Sequence, residues 1–529
     1  MDERNLAIVG GLASGSTIMT ETYDDLYGGW KGYERAKMTR GAVACGNPDA
    51  AEAGVKVYEA GGNAIDALIA TAFAMGVVEP LDSGLGAGGF MTLHHKASGT
   101  TTCLDFMGTS PKAARYQLYQ AFDPLGDYAI KVKGRENEAG HRSVAVPGAA
   151  AGLCEALERF GTLDRQTVMA PAIALAMNGF NVAAKAAMRM ARSEALLRQT
   201  EECQRVLMKP GKTLFEAGDR MAMPDYAKSL ELIAEQGPDA FYRGPLGEAI
   251  CREMERANGF LTQADLEAFE VVERAPATGS YCGHEIAIMG APSSGGLLTK
   301  GLAALERYQV PSEPVGMAKT LADAMLEMFE ARRTGLGDPA FIKPSAESNE
   351  TTSLSAIDAE GNAASITFSN NNHSGVVVPG TGILLNNQMR LFHAWEGSPN
   401  SVAPGKRPAS SMMPSIIFKD GRAALALGAS GATRIVTALV QILFHHLGRG
   451  LPLEEALRHP RLHAEEDAMI SDADFEPIAA EVASALNLTY TAVPGRDPMM
   501  AVCQAISVAE DGMAIACGDP RARAQGRVV

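Results

Sequence analysis

The pattern of apolar residues changes near residue 350, and this break limits the fold more than any other feature of the chain. From about 145 to 275, and again over 320–333, the apolar residues fall mostly at helical spacing. Pro344 to Glu350 is then a polar linker. Beyond it, Thr351 to Ile357 alternates as a strand does, Asp358-Ala359-Glu360-Gly361 has turn chemistry, and Ala363 to Ser369 reads as a returning strand. The chain is therefore mixed α and β, with a hairpin that begins at a threonine directly after the linker.

Composition narrows the class. The chain has 529 residues, 46% hydrophobic and 21% charged, a globular balance with ample core material. That length suits about two to four lobes or one large layered domain. A formal net charge of −15 argues against a nucleic-acid partner, which demands a basic face. The start Met-Asp-Glu-Arg, with an apolar run from Leu6 to Ala13 broken by Gly10 and Gly11, lacks the features of a secretory signal. No run of about 18 apolar residues occurs, so no membrane span and a cytoplasmic location are expected. The eight cysteines (Cys45, Cys103, Cys154, Cys203, Cys251, Cys282, Cys503, Cys517) contain no C-x-x-C and read as free buried thiols.

Residues 1–40 show no clear period and read as an irregular N-terminal arm. Asn47-Pro48-Asp49 starts a helix that stops at Gly61-Gly62. Asn63 caps a second, whose Ile65, Leu68, Ile69, Ala72 and Phe73 share one buried face. Gly84-Leu85-Gly86-Ala87-Gly88-Gly89 matches G-x-G-x-x-G, but a helix precedes it and a strand, Phe90 to His94, follows. The dinucleotide motif requires the reverse order, so a close-packed glycine turn is the better reading. Further helices are expected over 146–160, 227–236 and 320–333, with a short one from 261 and another entered through Pro292 to Gly296. Strands are expected at 285–289, 376–385, 415–418, 423–427, 489–493, 501–508 and 513–517, and helices at 433–447 and 453–458.

No metal site or cofactor is expected. His459 and His463, followed by Glu465 and Glu466, have helical spacing, but Pro460 lies between them and no H-E-x-x-H exists. A capped helix end with surface polar residues is the expectation there. His445 and His446 point to different faces of their helix. Gly428 to Ala432 just misses the G-x-S-x-G elbow. The residue that carries chemistry is Thr351. A threonine hydroxyl needs a base close by. Cleavage of the backbone before Thr351 would make its own α-amino group that base, since such a group titrates near ~7.7–8.0. By pattern alone, Thr351-Thr352 at a strand start is better read as ordinary β-propensity.

A set of short motifs decides between these. Asn349-Glu350-Thr351-Thr352, Gly380 to Asn387, Pro404 to Met412 and Ala432-Thr433-Arg434-Ile435 resemble the γ-glutamyltransferase family. So do Ala60 to Ala67, the glycine run at 84–89, Ser143 to Gly148 and Gly337-Asp338-Pro339, all in the family's order over about residues 40–520. The resemblance implies an N-terminal nucleophile hydrolase, a four-layer αββα sandwich cut between Glu350 and Thr351. The large subunit would be 41–350 and the small one 351–529. The implied partners are these two subunits of one precursor, with a homo-oligomer of such heterodimers left open. Thr351 would be nucleophile and base, Ser369 a second hydroxyl, and the N–H groups of Gly431 and Ala432 the oxyanion hole, with Ala432 replacing a family glycine. Ser410 and Ser411 match a serine pair that holds a substrate carboxylate, and Asn371 and Gln388 match pocket positions. Asn372 and His373, in a shortened loop, have no assigned role.

The departures concern substrate. Met107 stands where the family has an arginine that clamps the glutamyl carboxylate, and Leu391 where it has an aspartate that holds the α-amino group. Arg390 is new and is a candidate for binding a carboxylate, set against an exposed surface arginine. Only Phe392 to Pro404 separates two of the motifs, so an open site is expected. These changes point to an amidohydrolase for a small carboxylate-bearing amide. One branch of the family fits, the oxamate amidohydrolases of purine breakdown, which give oxalate and ammonia. A γ-glutamyl hydrolase or transferase and a glutaryl-type acylase are the alternatives.

Overall fold

The computed structural model describes residues 31–120, 132–335 and 351–529. Two seven-stranded antiparallel sheets stack face to face, and helices cover both outer faces. This is the expected αββα sandwich. One sheet runs Gln525–Val528, Gly41–Cys45, Thr352–Asp358, Ala363–Ser369, Gly88–His95, Thr100–Phe106, Val272–Arg274. The other runs Tyr33–Lys37, Met513–Gly518, Val502–Val508, Arg422–Ser430, Ser415–Lys419, His284–Ile288, Ala277–Tyr281. The hairpin Thr352–Ser369 thus lies at the centre of its sheet, buried on both faces.

Its residues alternate between two environments. Leu354, Ala356, Ile366 and Phe368 pack with the helices Pro48–Glu59 and Ala64–Val78. Ser353, Ser355, Ser365 and Thr367 face the other sheet. Ser353 Oγ lies 3.2 Å from Thr367 Oγ1, Ser355 Oγ donates to Ser365 Oγ at 3.1 Å, and Ser365 Oγ donates to the Leu427 carbonyl at 3.0 Å. Gly428 makes room for this hydroxyl layer, since a Cβ there would stand 2.4 Å from Ser353 Oγ. Farther along, the layer becomes apolar, with Ala42, Ala44, Ile357, Ile416, Ala426 and Ile506.

Several expectations change. Tyr33–Lys37 is an edge strand paired with Met513–Gly518, so the irregular arm does not extend to residue 40. Residues 1–30 and Pro344 to Glu350, including the expected cut position Glu350, lie outside the described residues. Helix Ala64–Val78 is buried along its whole length rather than on one face, because it is apolar all round. The expected strand 376–385 forms only the bridge Val377↔Leu384. Pro379 lacks an N–H, and Gly380 and Gly382 take φ of +76° and +68°, which folds the run back on itself. His463 is buried in the strand Leu462–Glu465, not on the surface. Cys282 is exposed and Cys251 half-buried, and the other six cysteines are buried. Among the described residues no group of His, Cys, Asp and Glu is placed to hold a metal, and no helix is long and apolar enough to cross a membrane.

Candidate active site

The hairpin register pairs Thr352 with Phe368, and one further step sets Thr351 opposite Ser369. Period two then puts both side chains on the hydroxyl-lined face, at its end. A cavity opens there, with about 280 Å³ of empty space, part of it open to solvent. Its polar lining is Thr351, Ser369, Asn371, Gln388 and Ser410, and its apolar lining Met107, Leu391, Met412, Ala432 and Ile435.

Four of these polar groups are held from behind. Ser369 Oγ accepts the Asn371 N–H at 2.7 Å, and Asn371 Nδ2 donates to Asn387 Oδ1 at 2.8 Å. Gln388 uses its amide on the backbone: Oε1 accepts from Gly108 N–H at 3.0 Å, and Nε2 donates to the Ser369 and Gly88 carbonyls at 2.7 and 3.3 Å. A Cβ at Gly108 would stand 2.3 Å from Gln388 Oε1, which explains glycine there. Ser410 Oγ accepts the Met412 N–H at 3.2 Å. On the apolar side, the buried Asp105 carboxylate lies 2.8 Å from Arg274 and 3.2 Å from Arg407 and accepts the Met107 N–H at 3.0 Å. This fixes the turn that presents Met107 to the cavity.

Strand Arg422–Ser430 passes into helix Arg434–Leu443 through Gly431 and Ala432, at φ of +135° and +57°. Among the described residues neither N–H has a backbone acceptor. Both lie at the positive end of the helix dipole. Ala432 borders the cavity that Thr351 also lines. The Ala432 conformation is the ordinary left-handed one, which a non-glycine residue adopts at modest cost. Its departure from glycine therefore leaves the turn intact.

A family model described as Gamma-glutamyltranspeptidase matches residues 50–348 and 342–529. The chain belongs to this family. A glutathione hydrolase proenzyme of Escherichia coli (strain K12) is 33% identical over 544 residues, covering 92% of each chain. An acylase ACY 1 proenzyme of Pseudomonas sp. (strain SE83) is 36% identical over 489 residues, 85% of this chain and 87% of that one. Cephalosporin acylase from Bacillus halodurans superposes with a TM-score of 0.84 at 24% identity, over 93% of this chain and 96% of that one, and shows the shared fold.

Against the gamma-glutamyltranspeptidase motifs, the structure brings together most of the expected site. Met107 and Leu391, at the two clamp positions, face one cavity. Three expectations fail. Arg390 does not line the cavity and is not a free surface arginine; it is half-buried, and the charges acting on it are Glu138 and Arg135. Ser411 is buried behind Ser410, outside the lining, with Oγ unpartnered among the described residues. The short segment after Phe392 leaves the site only partly open. His393 N–H donates to the Asn400 carbonyl at 2.8 Å and Val402 N–H to His393 at 3.0 Å, and Thr351 is only 6% exposed. Met412 and Ile435 line the cavity without having been singled out from the sequence, although both lie inside the quoted motifs.

Proposed function

We propose that the chain is a self-processing threonine amidohydrolase whose acyl pocket has no place for an amino-acid head group. One observation carries this reading: none of the ten residues around the cavity has an ionisable side chain. A glutamyl group brings both an ammonium and a carboxylate, and burying either without a partner costs several kcal/mol. A very small acyl group, with one carboxylate held by hydroxyl donors, suits the lining better. Oxamate is the substrate we put first. After cleavage before Thr351, the new α-amino group takes the Oγ proton as Oγ attacks the amide carbon. The N–H groups of Gly431 and Ala432 meet the charge on the former carbonyl oxygen. The C–N bond then breaks, the nitrogen leaves as ammonia with the transferred proton, and water hydrolyses the threonine ester. The 36% identity to an acylase proenzyme favours a second reading, an acylase for a larger amide.

Turnover of three substrates separates these readings. Ammonia release from oxamate is expected to exceed γ-glutamyl anilide hydrolysis by at least ~100-fold in kcat/KM, about 2.7 kcal/mol. Turnover of γ-glutamyl anilide without oxamate would overturn the substrate choice, and turnover of a glutaryl amide alone would establish the acylase reading. Restoring the clamp gives a complementary result. Met107→Arg with Leu391→Asp is expected to raise γ-glutamyl anilide turnover at least ~10-fold, since each new charge pairs with one end of the amino-acid group. No gain in a folded, cut double variant would mean that these two positions do not set the specificity.

A further inference from the structure

Two carboxylates lie where a helix end favours cations. Helix Ala64–Val78 is closed by Glu79, and the chain then turns through Pro80, Leu81, Asp82 and Ser83. The negative end of the helix dipole faces this turn, so Glu79 and Asp82, both buried, are unfavourable there unless paired. Their partners come from one face of helix Ala184–Arg192, where Lys185 and Arg189 stand one turn apart. Lys185 Nζ lies 2.7 Å from Glu79 Oε2 and 3.0 Å from Asp82 Oδ2, and Arg189 Nε lies 2.9 Å from Asp82 Oδ1. Burial alone would raise the Asp82 carboxyl, but Lys185 and Arg189 more than offset it and bring it down to about 2. None of these four residues lines the cavity beside Thr351.

The turn that they fix grips one residue of the catalytic loop. Asn370 N–H donates to the Asp82 carbonyl at 2.9 Å, and Asn370 Nδ2 donates to the Pro80 and Ser83 carbonyls, both at 3.1 Å. Asn370 stands between Ser369 and Asn371, which both line the cavity. Within the loop Asn371 and His373 take the left-handed conformation, with φ of +55° and +49°, so the chain turns sharply on either side of Asn372. The cluster also bears on the far end of the loop: burial and then Arg189 push the His373 imidazole down to about 3, so it stays neutral.

On the reading of Thr351 as the self-cleavage nucleophile, we propose that Glu79, Asp82, Lys185 and Arg189 are positioning residues that act through Asn370. They hold the turn against Asn370, and Asn370 holds Ser369 and Asn371 in register with Thr351.

Self-cleavage of the full chain, followed after in vitro translation, tests this without an external substrate. Lys185→Met is expected to slow cleavage at least ~10-fold while circular dichroism and a cooperative melt show a folded chain, because one buried carboxylate loses its partner. Lys185→Arg is expected to remain within ~3-fold of wild type, because it keeps the charge. Asn370→Ala is expected to slow cleavage too, and the double variant Lys185→Met/Asn370→Ala to be no slower than the slower single one, as residues in one chain of action couple. If Lys185→Met does not fold, Lys185→Gln, which keeps a donor and drops the charge, carries the same comparison. Cleavage of the charge-free variant at the wild-type rate, or effects that multiply in the double variant, would overturn the positioning role. A wild-type chain that stays whole would instead overturn the nucleophile reading itself.

Discussion

Thr351→Ala is expected to leave the chain whole and to lower turnover by at least ~10⁴-fold, the scale seen when a catalytic nucleophile is removed. On the proposed function two roles fall together, because one hydroxyl would serve both. In the precursor it would attack its own preceding carbonyl, and in the cut enzyme the substrate amide. Intact mass under denaturing conditions reads the first. Wild type should give chains of about 37 and 19 kDa, apportioned by length, and the variant a single chain. Ammonia release reads the second. The substitution keeps the Cβ and deletes only the hydroxyl and a methyl at the end of the strand Thr352–Asp358, so folding should survive. Robust turnover by Thr351→Ala would remove the nucleophile assignment. A wild-type chain near full mass would make a non-catalytic member of the gamma-glutamyltranspeptidase family the reading to beat.

The hairpin that sets Thr351 opposite Ser369 was legible in the sequence because it rests on local pattern, whereas the role of Ser369 came only from the family resemblance. Two alternating runs and a Glu360-Gly361 turn set the hairpin register, and the register sets the two hydroxyls face to face. The close-packed glycine run was legible for a similar reason. A Cβ at Gly86 or Gly89 would meet backbone at 2.0 or 2.4 Å, so no other residue fits. What failed was non-local or chemically silent. Tyr33–Lys37 becomes a strand only by pairing with Met513–Gly518, at the far end of the chain. Gly41–Cys45 is small and uniformly buried, with no alternation to mark it. Arg390 was misplaced because Gln388–Leu391 is a tight turn of three residues per repeat. Gln388 and Leu391 share the cavity face, and the charged residue between them does not. Met412 and Ile435 carry no reactive group, and only the fold shows that they wall the site. The ion cluster behind Asn370 joins helix ends a hundred residues apart, which no spacing rule links.

Gly431→Ala is expected to lower kcat at least ~100-fold while KM changes far less, the pattern for losing one oxyanion donor. The cause is steric and specific. A Cβ at Gly431 would stand 2.7 Å from Ala501 Cα and 3.0 Å from Ala501 Cβ, and the φ of +135° is itself one that side-chain-bearing residues avoid. Relief requires the turn or Ala501 to move. Ala501 is not free to retreat: its carbonyl accepts from Arg461 Nη1 at 2.7 Å, and Arg461 is held by the buried Asp519 carboxylate at 2.6 Å. The turn therefore shifts, and on the proposed function the N–H groups of Gly431 and Ala432 would lose their aim at the developing charge. Because those donors act on the transition state more than on bound substrate, kcat falls and KM follows weakly. Ala432→Gly provides the contrast. The φ of +57° is already accessible to alanine, so restoring the family glycine is expected to change kcat by less than ~3-fold. Both constants, measured per cut chain, check this. Wild-type kcat in a folded Gly431→Ala enzyme would place the oxyanion elsewhere in the cavity.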